Sequence, residues 1–169
     1  MRLGKEAITD EQIERQINVA VTILGQFETV KNGPLFILQA LIHTVDGRIE
    51  SHVPKFLDWV LKAMKMEATD AMGNRIAIGM VSDLGIALKG PAIAPHLTQI
   101  MPNLYAIIRE DRFDIQAKVL AIQAFGDICL TSGFDGLQPY STDTQTVLKE
   151  VGVASLADAT NDREAARSE

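Results

Sequence analysis

The chain contains an internal repeat, and this repeat limits the possible folds more than any other feature of the sequence. RIAIGMVSDL at residues 75–84 returns as VLAIQAFGDI at residues 119–128, 44 positions later, with an aspartate near the end of both stretches. Repeats of this length are supersecondary units that stack because one unit cannot bury its apolar face alone. We therefore expect a stacked array of similar units.

Helical spacing of apolar residues runs through most of the chain. Apolar positions recur every three or four residues, and no stretch shows the alternation of a β-strand. Aromatic residues make up only 5% of the chain while apolar residues make up 47%, a balance that favours helices. Seven helices are predicted, near residues 10–30, 34–45, 54–66, 70–89, 95–109, 114–131 and 139–151. The pattern is clearest at 54–66, where the predicted apolar stripe is Phe56, Leu57, Val60, Leu61 and Met64.

After the first helix, the predicted helices form three antiparallel pairs. Each pair has a glycine in the turn between its helices and a proline near the start of its second helix; these are Gly47, Gly90, Gly133, Pro54, Pro95 and Pro139. Two helices per unit of about 40–47 residues is typical of HEAT and armadillo solenoids. The predicted fold is therefore all-α, an α-solenoid of HEAT repeats over residues 1–151. The polar segment 152–169 lacks large apolar residues and is expected to be disordered.

The repeated aspartates have a structural interpretation. Asp83 falls at the margin of the apolar arc of its helix, and Asp127 falls at the matched place one unit later. Stacking would bring these margins together, where a carboxylate can accept hydrogen bonds from a neighbouring unit. His43 occupies the matched position in the 34–45 helix and can play a similar part when it is hydrogen-bonded. The equivalence of the two carboxylates argues against an acid–base pair.

Composition narrows the classes of function. The net charge is −6 and no long basic run is present, which argues against a general nucleic-acid binder. No apolar stretch is long enough to span a membrane, and the start of the sequence does not resemble a signal peptide. Cys129 is the single cysteine, so no internal disulfide can form. These features predict a soluble intracellular protein without membrane insertion.

Enzymatic and metal-binding functions have little support. His43, His52 and His96 stand in separate predicted units without the spacing of metal ligands. Cys129 lies in an apolar-rich helix, where a buried and inert thiol is usual. The chain carries no nucleophile motif and no phosphate-binding loop. We therefore predict no enzymatic activity, no catalytic residue, no metal site and no cofactor.

The wording of the repeats is similar to a known family. AIGMVSDLGIAL at 77–88 and KVLAIQAFGDICLTSG at 118–133 resemble, in this order and separation, the central-to-late HEAT repeats of the importin-β (karyopherin-β) nuclear transport receptors. The resemblance extends back through 38–65 and, more weakly, forward through 136–151. His43 stands where the family carries an acidic residue, and Ser82 replaces a glycine.

The resemblance implies a fragment, or a truncated relative, of a nuclear import receptor that carries cargo through the nuclear pore. Its implied partners are proteins: nucleoporin Phe-Gly repeats, the GTPase Ran in its GTP form, and cargo or the basic segment of an importin-α adaptor. The implied location is the cytoplasm, the nucleus and the nuclear envelope at the pore. The alternative is a HEAT-repeat scaffold subunit that holds an enzyme complex together and takes no part in transport.

Three residues are candidates for protein binding. Ile86 and Leu130 occupy matched places 44 residues apart, off the apolar arc, and could form an outer groove for the phenylalanine of a nucleoporin repeat. Their alternative roles are packing between repeats or incidental exposure. Trp59 flanks the apolar face of the 54–66 helix and is either a core residue or an anchor for a partner.

Acidic residues could instead meet a basic partner segment. Asp58, Glu110 and Asp111 are the acidic residues in question, but lysines share the second-helix surface at positions 55, 62 and 65. A solvated surface of mixed charge is therefore the interpretation that we favour for them.

Overall fold

The computed structural model describes residues 8–26, 32–66 and 71–152, and these residues form an all-helical structure. No β-strand occurs within these three ranges, which confirms the predicted all-α class. The α-helices are α1 (Asp10–Gly25), α2 (Asn32–Val45), α3 (Val53–Met64), α4 (Ala71–Leu88), α5 (Ala94–Arg109), α6 (Ile115–Leu137) and α7 (141–152). Short 3₁₀ helices, Asp46–His52, Gly90–Ala92 and Gln138–Tyr140, join α2 to α3, α4 to α5 and α6 to α7.

The helices lie in two layers. The first layer contains α2, α4 and α6 side by side, with α4 in the middle, and the second contains α1, α3 and α5 in the same order. Helix α7 extends the second layer, because the Tyr105 hydroxyl of α5 lies 2.8 Å from the Thr144 hydroxyl. Across the layers, α1 packs on α2, α3 on α4 and α5 on α6. This arrangement of stacked helix pairs confirms the predicted solenoid.

Local signals fix where several helices begin. Thr9 and Gln12 form a reciprocal capping box at the start of α1. Asp114 precedes α6 and accepts the backbone N–H of Ala117 at 2.8 Å. The same carboxylate accepts a hydrogen bond from Nη2 of Arg75 on α4 at 2.6 Å, so the Asp114 side chain both caps the start of α6 and joins two units. The Ala117 N–H first, and then the Arg75 guanidinium, hold the pKa of Asp114 below its usual range.

The turns between the two helices of each pair contain a residue with positive φ, as their glycines suggest, but this residue is not always the glycine. Gly90 has φ 55° and Gly133 has φ 71°, and Gly133 interrupts the helical conformation within α6. In the first unit the left-handed residue is Asp46, with φ 53°, and not its neighbour Gly47. Aspartate tolerates positive φ better than most residues. Gly47 does not have a positive φ and is therefore not the conformational equivalent of the two later glycines.

Several observed bounds differ from the predicted ones. Helix α1 ends at Gly25, and the predicted continuation to residue 30 reaches positions outside the described residues. Helix α2 begins at Asn32, two residues before the proline that was expected to open it. Gly152 belongs to α7, and the remainder of the predicted polar tail, 153–169, lies outside the described residues.

The core between the layers consists of aliphatic side chains, and it follows the predicted stripes. The five apolar residues predicted for α3 are all at most 8% exposed. Helices α4 and α6 approach closely at Gly85, where an added Cβ would lie 3.1 Å from Cγ1 of Ile128. A larger residue at position 85 would therefore push the central and last first-layer helices apart.

Candidate partner-binding surface

The two matched candidates Ile86 and Leu130 are both exposed on first-layer helices, but their surroundings differ. Ile86 is 48% exposed and Leu130 is 85% exposed. Ile86 lies on the central helix α4 and faces the groove toward α2. Leu130 lies on α6, which has α4 on one side and, within the described ranges, no first-layer helix on the other. Matched sequence positions therefore give two unequal surfaces.

A small cleft, which we call the α2–α4 cleft, adjoins Ile86. Its volume is about 160 Å³, and its lining residues are Ile42, His43, Asp46, Asp83, Ile86 and Ala87. Ile42 and Ala87 are 1% and 7% exposed and belong to the core, so they give the cleft an apolar base. Because sites for cofactors and drug-sized ligands usually exceed about 300 Å³, this cleft suits a single side chain.

Polar groups at the edge of the cleft are held in place by contacts across the two helices. The Asp83 carboxylate accepts a hydrogen bond from Gln39 Nε2 at 3.0 Å, and its Oδ2 lies 3.0 Å from His43 Nε2. Asp83 is only 14% exposed, whereas the His43 side chain is 61% exposed. The carboxylate is thereby fixed, and the side chains of Ile86 and His43 remain accessible to a partner at the edge of the cleft.

The second repeated aspartate makes the equivalent contact one unit later. Asp127 on α6 accepts a hydrogen bond from the Ser82 hydroxyl of α4. Thus both Asp83 and Asp127 bond to the preceding first-layer helix. Ser82, at the position where the resembled family has a glycine, supplies the hydrogen-bond donor between α4 and α6.

Trp59 packs against its surroundings in the second layer. The ring is partly buried, and a Cβ placed on Gly25 would lie 3.9 Å from it. Lys62 Nζ lies 5.0 Å from the ring centroid, a cation–π distance. These contacts favour a packing role, although one part of the ring remains accessible.

The candidate acidic residues lie among cations. Asp58, Glu110 and Asp111 are exposed. Arg112 Nε donates to the Glu110 carboxylate, and Lys118 Nζ lies 3.8 Å from Asp111 Oδ1. The described part of the second layer therefore presents mixed charge at these positions.

The titratable residues considered for chemistry remain dispersed. His43 lies at the α2–α4 cleft, His52 at the end of the first 3₁₀ helix and His96 in α5. Within the described ranges, no three His, Cys, Asp or Glu side chains are grouped to hold a metal ion. Burial lowers the pKa of His96, and burial raises the pKa of the Cys129 thiol, which keeps the thiol protonated.

Sequence reasoning identified Ile86 but missed the cleft beside it. The base residues Ile42 and Ala87 are buried aliphatic residues like the rest of the core, so the sequence pattern does not set them apart. One usable signal was the spacing of 44 residues between Gln39 and Asp83, because residues about one unit apart bond across neighbouring helices.

A family model described as "Importin subunit beta-1-like, TPR repeats" matches residues 3–166 of the chain. The match extends past residue 151 into the polar segment. Its description names TPR units, of about 34 residues, whereas the spacing of 43–44 residues here is that of HEAT units; both are helix-pair solenoids. No curated protein and no solved structure matches the chain. None of the described helices has the length and apolar character needed to cross a membrane.

Proposed function

Because the chain belongs to the importin subunit beta-1-like repeat family, we propose that it is a protein-binding segment of a nuclear import receptor. In this proposal the α2–α4 cleft binds the phenylalanine of nucleoporin Phe-Gly repeats, with Ile86 as the main contact. The observation that carries it is the exposed Ile86 beside an apolar base formed by two adjacent first-layer helices. Binding requires no chemistry, so the segment acts as a receptor and not as an enzyme.

The wider role follows from the same family relationship. The receptor would move between cytoplasm and nucleus through the pore, and its other partners would be cargo, an importin-α adaptor and Ran-GTP. The stacking of units could couple one partner to another, since a change at the contact between two neighbouring units alters the curvature of the surface to which another partner binds.

Each individual contact in this proposal is weak. Burying one phenylalanine contributes about 1.5–3 kcal/mol, whereas a micromolar complex needs about 8 kcal/mol. A single Phe-Gly motif should therefore bind with a dissociation constant of about 6 mM or weaker, and useful affinity should come from several motifs on one nucleoporin chain. Weak single contacts also allow rapid release.

Fluorescence anisotropy of a labelled Phe-Gly peptide tests this proposal. We expect weak saturable binding that Ile86→Asp abolishes, because the charge would desolvate in the cleft. Leu130→Asp is the matched control at the repeat-equivalent position and should retain binding. A peptide with serine in place of phenylalanine should not bind.

Two results would contradict the proposal. One is equal binding by the wild type and Ile86→Asp; the other is no binding at millimolar protein while circular dichroism shows intact helices. The second result would favour a HEAT scaffold outside transport, because the fold would stand without the receptor function.

A further inference from the structure

The edge of the α2–α4 cleft carries one polar side chain that a partner can reach directly. Three polar residues line the cleft, and of these His43 is exposed while Asp46 and Asp83 are half-buried. Ile42 and Ala87 form the apolar base, so a phenylalanine ring that enters the cleft leaves its own main chain at the edge. The polar atoms of His43 therefore determine which main-chain groups of a partner fit there.

The position of the ring proton of His43 follows from its neighbour. Nε2 lies 3.0 Å from Oδ2 of Asp83. An ionised carboxylate can only accept hydrogen bonds, so an unprotonated ring nitrogen at this distance would place two lone pairs against each other. Nε2 therefore carries the proton, and in the neutral imidazole Nδ1 has none.

Nδ1 is then the acceptor that remains available at the edge of the cleft. In the described part of the chain, the side chain of His43 forms no hydrogen bond or ion pair besides its contact with Asp83. Asp83 is half-buried and already accepts a hydrogen bond from Gln39, and Asp46 takes part in an interaction of its own. An N–H group of a partner at the edge of the cleft therefore meets its acceptor on the imidazole.

We infer that Nδ1 of His43 accepts the main-chain N–H of the glycine that follows the bound phenylalanine. The inference rests on the proposed Phe-Gly binding, to which it adds the contact that selects the main chain of the motif. Burial of the phenylalanine ring depends little on the residues around it, whereas a hydrogen bond is directional and fixes where the chain leaves the cleft. His43 is thus a specificity-determining residue of the cleft.

The glycine of the motif suits this acceptor better than the phenylalanine that precedes it. Glycine has no Cβ, so its main chain can approach the edge of the imidazole more closely than that of any other residue. Successive N–H groups of an extended chain point in opposite directions. One acceptor at the edge of the cleft therefore bonds to one of the two N–H groups, and removing the other should have no effect.

Peptide esters test this contact at about pH 8, where an imidazole is neutral. In one peptide glycolic acid replaces the glycine after the phenylalanine, which exchanges that N–H for an oxygen. In the matched control peptide phenyllactic acid replaces the phenylalanine and removes its N–H instead. Titrations followed through the NMR signals of the Ile86 methyl groups measure millimolar dissociation constants. On the wild type the glycolate peptide should bind about three- to tenfold more weakly than the parent peptide, and the phenyllactate peptide should bind as the parent does.

His43→Phe is the matched variant, because it keeps a planar ring at the edge of the cleft and removes both nitrogens. Asp83 retains the hydrogen bond from Gln39, so the contact between α2 and α4 should persist. The parent and glycolate peptides should bind this variant with equal dissociation constants. Circular dichroism checks that its helices are intact.

The outcomes separate this inference from the proposed function. A loss of the same size for the glycolate peptide on the wild type and on His43→Phe would overturn the inference and leave Phe-Gly binding in place. A long-range proton–nitrogen correlation spectrum of the free protein should show the proton of His43 on Nε2, and a proton on Nδ1 would overturn the inference without any peptide. Failure of the parent peptide to bind would overturn both proposals.

Discussion

The matched isoleucines Ile78 and Ile122 allow a direct comparison of a covered and an uncovered position in the array. They lie 44 residues apart on the same face of α4 and α6. Ile78 is 0% exposed, whereas Ile122 is partly exposed. We predict that Ile78→Ala lowers the free energy of unfolding far more than Ile122→Ala does, although the two changes delete the same atoms.

The expected magnitudes follow from what surrounds each side chain. Removing three buried carbons from Ile78 forfeits about 2.4 kcal/mol of transfer free energy. If about 40 Å³ stays open between α4 and α6, the residual cavity adds about 1 kcal/mol. The total is therefore about 3–4 kcal/mol. Ile122 already meets water and leaves no closed cavity, so its truncation should cost about 1–1.5 kcal/mol.

Urea denaturation followed by far-UV circular dichroism measures both values. Low micromolar protein should be used, so that self-association does not alter the measured stabilities. Similar urea dependences for the two variants would show that the same cooperative unit unfolds. Equal losses of stability, or a larger loss at Ile122, would refute the argument that the repeat buries this position only when a following helix is present.

Two further predictions concern alanine substitutions at two glycines and the stability of the protein in acid. A Cβ added at Gly126 meets no atom within 4 Å, so Gly126→Ala should raise the free energy of unfolding by about 0.5–1 kcal/mol. Gly85→Ala should give no such gain, because its Cβ would crowd Ile128. Urea denaturation midpoints compare the two variants, and equal gains would contradict the close approach of α4 and α6 at Gly85. The pKa of Asp114 is lower in the folded protein than in the unfolded chain, so the ionised carboxylate stabilises the fold at pH values above the unfolded pKa. This stabilisation is lost as the pH falls through the pKa of the folded protein. Wild type and Asp114→Asn should therefore differ in urea midpoint at neutral pH and converge in acid, and a constant difference would contradict this.

Helical periodicity predicted the fold well because burial within a helix pair depends on the angle around one helix. The α3 stripe illustrates this, since its amphipathic pattern alone placed the buried residues correctly. The repeat then supplied what periodicity lacks, namely which helices are equivalent. Together they predicted a stack of antiparallel helix pairs without any information about distant contacts.

Exposure on the first layer was less predictable, because it depends on whether a neighbouring helix is present. Ile86 and Leu130 are indistinguishable by angle and spacing, yet only Ile86 borders a cleft between α2 and α4. The left-handed turn residue Asp46 was missed for a related reason. A glycine at the expected spacing suggested Gly47, but the residue with positive φ is Asp46, where the 3₁₀ helix that packs on α4 begins.

The polar seams explain why the array keeps one register. Bonds between units join residues roughly one repeat apart: Asp10 to Arg48, Gln39 to Asp83, Arg75 to Asp114, Ser82 to Asp127 and Arg109 to Glu150. Apolar faces alone tolerate sliding, since one aliphatic side chain replaces another at small cost. A slip of one residue would turn Asp83 or Asp127 by about 100° and leave a partly buried oxygen without its donor. The aspartate among the aliphatics therefore recurs because each seam needs a directional contact that the aliphatic residues cannot provide.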